Sequence, residues 1–212
     1  MRGARQTLVY QMEFAAADDL AMILPIPVAG GEDAVSFIDL SDYPEFFDDL
    51  AQCFAPPISR MAQAAPAAAA APPTVYEVGS FEASFVPTVD DFDRLDERFR
   101  LPRRVWSGLP DSGFAVFKLK AGKKKVHPMA FDFPTKEPQS LFFPPLHIHD
   151  GELHSHAMFD HAIYGQGARV GRDWTSSNGV AGEHVATGRA QGVVDGNEGV
   201  HRRIMRGPVE NR

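Results

Sequence analysis

From residue 6 to residue 14 apolar and polar positions alternate. Leu8, Tyr10, Met12 and Phe14 fall on one side, Thr7, Gln11 and Glu13 on the other. A period of two marks a half-buried strand. Residues 20–28, LAMILPIPV, are apolar on both faces and read as a more buried strand. Pro25 and Pro27 should end its pairing, because proline cannot donate a ladder hydrogen bond. The short AAADD between the two predicts a hairpin loop. VSFIDL at 35–40 reads as a third strand, and the helical spacing of SDYPEFFDDLAQCF predicts a short helix capped by Ser41 or Asp42.

Further along, residues 75–87 read as a strand. Residues 88–99 read as a second short helix, with Thr88 and Asp91 spaced like a capping box. Residues 113–134 predict a hairpin turning near Ala121 and Gly122, with lysines 118, 120, 123, 124 and 125 around the turn as a solvated edge. These elements amount to an α+β fold, mainly antiparallel β-sheet, as a sandwich or a partly open barrel with two short helices.

The Ala/Pro-rich stretch at about 56–73 reads as an insertion or linker within a single domain spanning 1–164. From residue 165 to 212 there are ten glycines in forty-eight residues and few large apolar side chains. That composition predicts a Gly-rich C-terminal tail, extended or partly disordered, anchored by Trp174 and open to a protein partner or a second copy of the chain.

With 44% apolar and 23% charged residues, the composition is that of an ordinary globular protein. A net charge of −7 argues against nucleic acid or an acidic membrane as partner. Neither an apolar run of spanning length nor a secretory signal is evident, so a cytoplasmic location is the expectation. Cys53 is the one cysteine, which excludes an internal disulfide and a thiolate-rich zinc site; its apolar neighbours predict a buried thiol.

The candidate chemistry lies in PPLHIHDGELHSHAMFDH, residues 144–161, which holds five histidines, two aspartates and one glutamate. Asp150-Gly151 is a strong signal for a two-residue hairpin. A turn there gathers His147, His149, Glu152, His154 and His156 on one face, and leaves Leu146, Ile148, Leu153, Ser155 and Ala157 on the other. Imidazoles opposed across such a ladder can converge on one divalent transition metal, zinc or iron before others. His161 has the opposite parity, and His127 reads as a hydrogen-bonded histidine beside the core.

Two functions follow from this set. In a metal-dependent hydrolase His147, His149 and His154 bind the ion and Glu152 is general base, whereas in an oxygenase Glu152 is a ligand. The alternative is a non-catalytic protein of a larger assembly, its histidine cluster stabilising a fold or an interface. His147-x-His149 followed by Glu152 resembles the metal motif of the cupins. The cupin glutamate follows at a longer spacing than the two intervening residues found here, and the family's downstream histidine is not evident. Neither fold nor activity is therefore rested on that resemblance.

Overall fold

The computed structural model describes residues 5–11, 13–17, 19–55, 81–94, 112–144, 156–167 and 173–210. Its elements are mostly antiparallel strands. In chain order they are β1 (Arg5–Tyr10), β2 (Glu13–Ala16), β3 (Leu20–Ile26), β4 (Ser36–Asp39), α1 (Phe46–Gln52), β5 (Phe81–Val86), β6 (Gly113–Leu119), β7 (Gly122–Lys125), β8 (Met129–Pro134), β9 (His156–Gly165), β10 (Thr175–Val180) and β11 (Gly199–Glu210). Val89–Arg94 and Ala181–Glu183 are 3-10 turns. The described strands form three three-stranded sheets and one pair, and none of them closes into a barrel.

Neither the hairpin expected at AAADD nor the one expected at 113–134 forms. Residues 5–26 instead run antiparallel beside residues 113–134, so β1 pairs β8, β2 pairs β7 and β3 pairs β6. The AAADD stretch and Gly122 are thus irregularities along one long ribbon, not reversals. Gly122 supplies a φ of 123°, which side-chain-bearing residues rarely adopt, and the Ala121 N–H beside it donates to Asp19 Oδ1 at 2.9 Å. On the far side of the central strand β4 pairs β8 and β5 pairs β6. Pro25 sits within the ladder opposite Phe114, tolerated because β3 is an edge strand.

The ribbon folds back on itself. Phe117 and Phe131 are fourteen residues apart in sequence, roughly 46 Å along a straight strand, yet their ring centroids lie 5.9 Å apart. Phe37 from β4 meets both rings, at 5.8 and 6.2 Å. Leu24, Ile26, Val126, Met129 and Phe133 complete this first core. His127 lies beside it, half-buried, its ring 4.5 Å from that of Phe81.

A second core joins α1 to the C-terminal segment. Tyr43, Phe46, Leu50 and Cys53 pack with Ala181, Val185, Ala190, Val194 and Val200. The described part of the segment read as an extended or partly disordered tail is therefore strand and turn with buried side chains. Its apolar residues are small, and glycine allows close backbone approach: the Gly182 N–H donates to the Gly196 carbonyl at 2.9 Å. Strand β1 lies between the cores, with Leu8 and Tyr10 toward the first and Val9 toward the second. Alternation therefore serves two apolar environments where the sequence suggests one.

One α-helix is described where two were expected. Thr88 Oγ1 donates to the Asp91 carboxylate at 2.8 Å, a side-chain bond in place of a backbone cap, and the turn that follows is 3-10. Helix α1 begins after Glu45 with no side-chain cap; Asp48 and Asp49 in its first turn suit the positive end of the helix dipole. The Ala/Pro-rich stretch lies outside the described residues. Among the described residues no helix is long and apolar enough to cross a membrane.

Candidate functional site

Among the described residues the histidine cluster forms no metal centre. His147, His149, Glu152 and His154, with the Asp150-Gly151 turn between them, lie outside the described residues. His156 opens β9, exposed and opposite Glu210 in the ladder to β11. Along β9 side chains alternate, so His156 points out with Met158 and Asp160 while His161 points in beside Phe159. Two histidines on opposite faces of one strand cannot close on one ion. Among the described residues no group of three or more His, Cys, Asp or Glu side chains could hold a metal. We therefore set aside the expected metal-binding function. With it go the hydrolase and oxygenase readings and the histidine cluster as a structural staple.

A different site lies between the two cores. A cavity of about 680 Å³ is bounded by β1, α1, residues 141–143, β9 and the loop at 192–200. Each wall follows from a local feature. Strand β1 lines it because it sits between both cores. Helix α1 presents Phe46, Phe47 and Leu50, spaced so that one face of a short helix is apolar. Strand β9 contributes His161, Ile163 and Tyr164.

Several polar side chains are fixed in place. Gln6, only 1% exposed, donates from Nε2 to the Phe142 carbonyl at 2.6 Å and accepts the Phe142 N–H at 3.1 Å. Gln11 donates to the Val126 carbonyl at 3.2 Å. Gln166 clasps the 192–200 loop, donating to the Asp195 carbonyl and accepting its N–H, each at 2.9 Å. With their amides matched to backbone groups, these walls are held in shape.

The two phenols and the imidazole of the walls are uncharged at neutral pH. Burial pushes the Tyr10 phenol up from its ordinary value. Burial also raises Tyr164, with Arg202 pulling the other way. Burial lowers the His161 imidazole, and the Asp160 charge opposes that shift. The Asp160 N–H donates to His161 Nδ1 at 3.2 Å, so the neutral ring carries its hydrogen on Nε2.

In the sequence Tyr10 reads as one side of a half-buried strand, Phe46 and Phe47 as part of a short helix and 192–200 as tail. The clue it lacked was long-range pairing, because the residues that meet here come from both ends of the chain. No protein-family model, curated protein or solved structure matches the chain.

Proposed function

We propose that the protein binds a small molecule in the cavity between β1, α1 and β9. The observation that carries this reading is the half-open cavity itself. About 680 Å³ lined by aromatic, aliphatic and polar side chains falls within the roughly 300–1,000 Å³ of small-molecule sites. A few polar groups, held in position, supply orientation. The folded-back ribbon is read as a partly open barrel whose open side α1 and the C-terminal segment cover. A cytoplasmic location suits its buried, unpaired Cys53.

The test is a thermal-shift screen of a diverse small-molecule set against the protein and against Val193→Trp, which fills the cavity from the 192–200 loop. A ligand at one hundred times its Kd should stabilise the protein by about 2.7 kcal/mol and leave the filled variant unmoved. Equal shifts in both proteins would place binding elsewhere.

A second reading rests on a separate surface. On the outer face of β9 and β11, Met158 is 72% and Ile204 49% exposed. They lie opposite Pro208 and Ala162, on either side of the Asp160–Arg206 ion pair at 3.1 Å. A two-fold copy of the chain could cover these apolar positions while its own acidic and basic side chains meet this pair. Sedimentation over a hundredfold concentration range, with Ile204→Lys beside the wild type, tests it. A monomer at every concentration ends this reading and leaves the first untouched.

A further inference from the structure

The geometry points to an organic cation, an ammonium group carried on an apolar body, as the class of ligand this cavity takes. This inference rests on the small-molecule reading and adds the chemistry of the ligand to it. Three carboxylates border the space, Asp48, Asp195 and Glu198, and among the described lining residues there is no lysine or arginine. Asp160 is paired with Arg206, outside on the strand face. Asp195 Oδ1 accepts the Asn197 N–H at 2.9 Å. An anionic ligand would meet this set as like charge, whereas a cation would be drawn in by it.

The carboxylates and the rings occupy different depths. Asp48 and Glu198 are exposed and Asp195 is half-buried, while Phe46 is 2% exposed and Phe47 and Tyr164 are half-buried. Phe46 and Phe47 stand nearly perpendicular, with centroids 5.2 Å apart and planes at 84°, and Tyr164 lies 6.2 Å beyond Phe47. Rings at right angles around a space can offer both faces and edges to its occupant. The negative face of an aromatic ring attracts a cation within about 6 Å of its centroid, most strongly where water is excluded.

The same aromatic cluster already takes cations from the protein itself. The Arg202 guanidinium lies 4.4 Å from the centroid of Phe54, and that of Arg189 lies 4.4 Å from the centroid of Tyr43. Both are on the second core's flanks, and Arg202 also hydrogen-bonds Tyr164. His161 and the two phenols add no charge of their own, and the Arg202 cation on Tyr164 stands against the carboxylates. Charge is supplied at the mouth and ring faces inside, the arrangement that recognises an alkylated ammonium.

The test uses three probes of one shape on the full chain: benzyltrimethylammonium, its neutral isostere neopentylbenzene, and phenylacetate. Kd is measured by NMR titration, with the N-methyl protons of the first probe as a direct readout. We expect the cation to bind at least about tenfold tighter than the neutral isostere. Phenylacetate should show no saturable binding. Bound N-methyl protons should shift upfield under the rings. Asp48→Asn and Glu198→Gln, both at exposed positions where folding is not at stake, should each weaken the cation by about threefold, and Val193→Trp should abolish it.

If the neutral isostere binds as tightly as the cation and is lost in Val193→Trp, the cation inference falls and the small-molecule cavity stands. If phenylacetate binds best, the sign of the charge argument is wrong. If no probe binds, or Val193→Trp binds all three unchanged, the cavity reading falls together with the inference.

Discussion

The two cores of this molecule are built from different materials. The first is large rings on regular strands: Phe117, Phe131 and Phe133 are each 0% exposed, and they meet because the ribbon folds over. The second holds two large aromatics, Tyr43 and Phe46, among alanines and valines from turns. Its cohesion includes hydrogen bonds that the first does not need. Tyr43 donates its hydroxyl to Asp49 at 2.5 Å and accepts the Ala186 N–H at 2.8 Å, while Arg189 binds the Asp42 carbonyl and Glu45. Area burial is tolerant of detail, whereas a hydrogen-bonded core fails when one donor or acceptor is left alone.

That contrast is tested most severely in the first core. Phe131→Ala removes a ring that touches Phe37, Phe117 and Phe133. It should cost about 3–5 kcal/mol, the range for a buried phenylalanine. Urea unfolding measures it, and a loss under 1 kcal/mol would mean that the fold-back is not a packed core.

In the second core the sensitive atom is an oxygen. Tyr43→Phe keeps the ring but leaves the Ala186 N–H and the Asp49 carboxylate without it, at about 1–3 kcal/mol. The same residue sets an alkaline limit. Burial, then the bond to Asp49, raises the Tyr43 phenol from 10.0 to about 12. The unfolded chain ionises near 10 while the folded one holds its proton. Stability is therefore intact below pH 10 and declines as pH rises toward 12. A two-unit shift corresponds to about 3 kcal/mol, and Tyr43→Phe should flatten that part of the curve. An unchanged alkaline slope in the variant would assign the loss to other groups.

Smaller again is the effect of backbone approach. A Cβ on Gly182 would lie 2.9 Å from the Gly196 carbonyl oxygen, whereas one on Gly31 would meet nothing within 4 Å. Gly182→Ala should cost about 1–2 kcal/mol through overpacking, with Gly31→Ala neutral or slightly stabilising. Equal behaviour of the pair would show that the C-terminal segment yields without cost.

These differences explain what could be read from the chain and what could not. Strands β1, β3, β4 and β8 announce themselves by alternation or continuous apolar runs, because each buries side chains that one stretch of sequence displays. Their pairing is not displayed. Gly122 reads equally well as a reversal or as a bend, and only contacts a hundred residues away decide between them. The second core was missed because Ala181, Ala190 and Val194 form no periodic stripe and lie among glycines that suggest looseness. The cavity is a product of both cores and so was invisible to local reading. Of the histidine run only His156 and His161 are described, and strand β9, which carries them, pairs with β11, near the other end of the chain.

The smallest effect concerns the boundary between the regions. His161 lies on the inner face of β9 among Phe143 and Phe159, with centroids at 6.2 and 5.0 Å. Burial lowers its pKa, with the Asp160 charge opposing, so the unfolded chain takes a proton that the folded one resists. Stability is then present above the ordinary histidine range and is lost as pH falls through the depressed folded value. His161→Phe keeps a ring in the space and has no proton to gain. Thermal midpoints measured from pH 7.5 down to 5 should fall in the wild type and fall less in the variant. The two proteins differ at this one position, so the difference between the two curves isolates this one ring. Parallel curves would mean that water reaches the imidazole, and that the wall between β9 and the first core is open where the packing here has it closed.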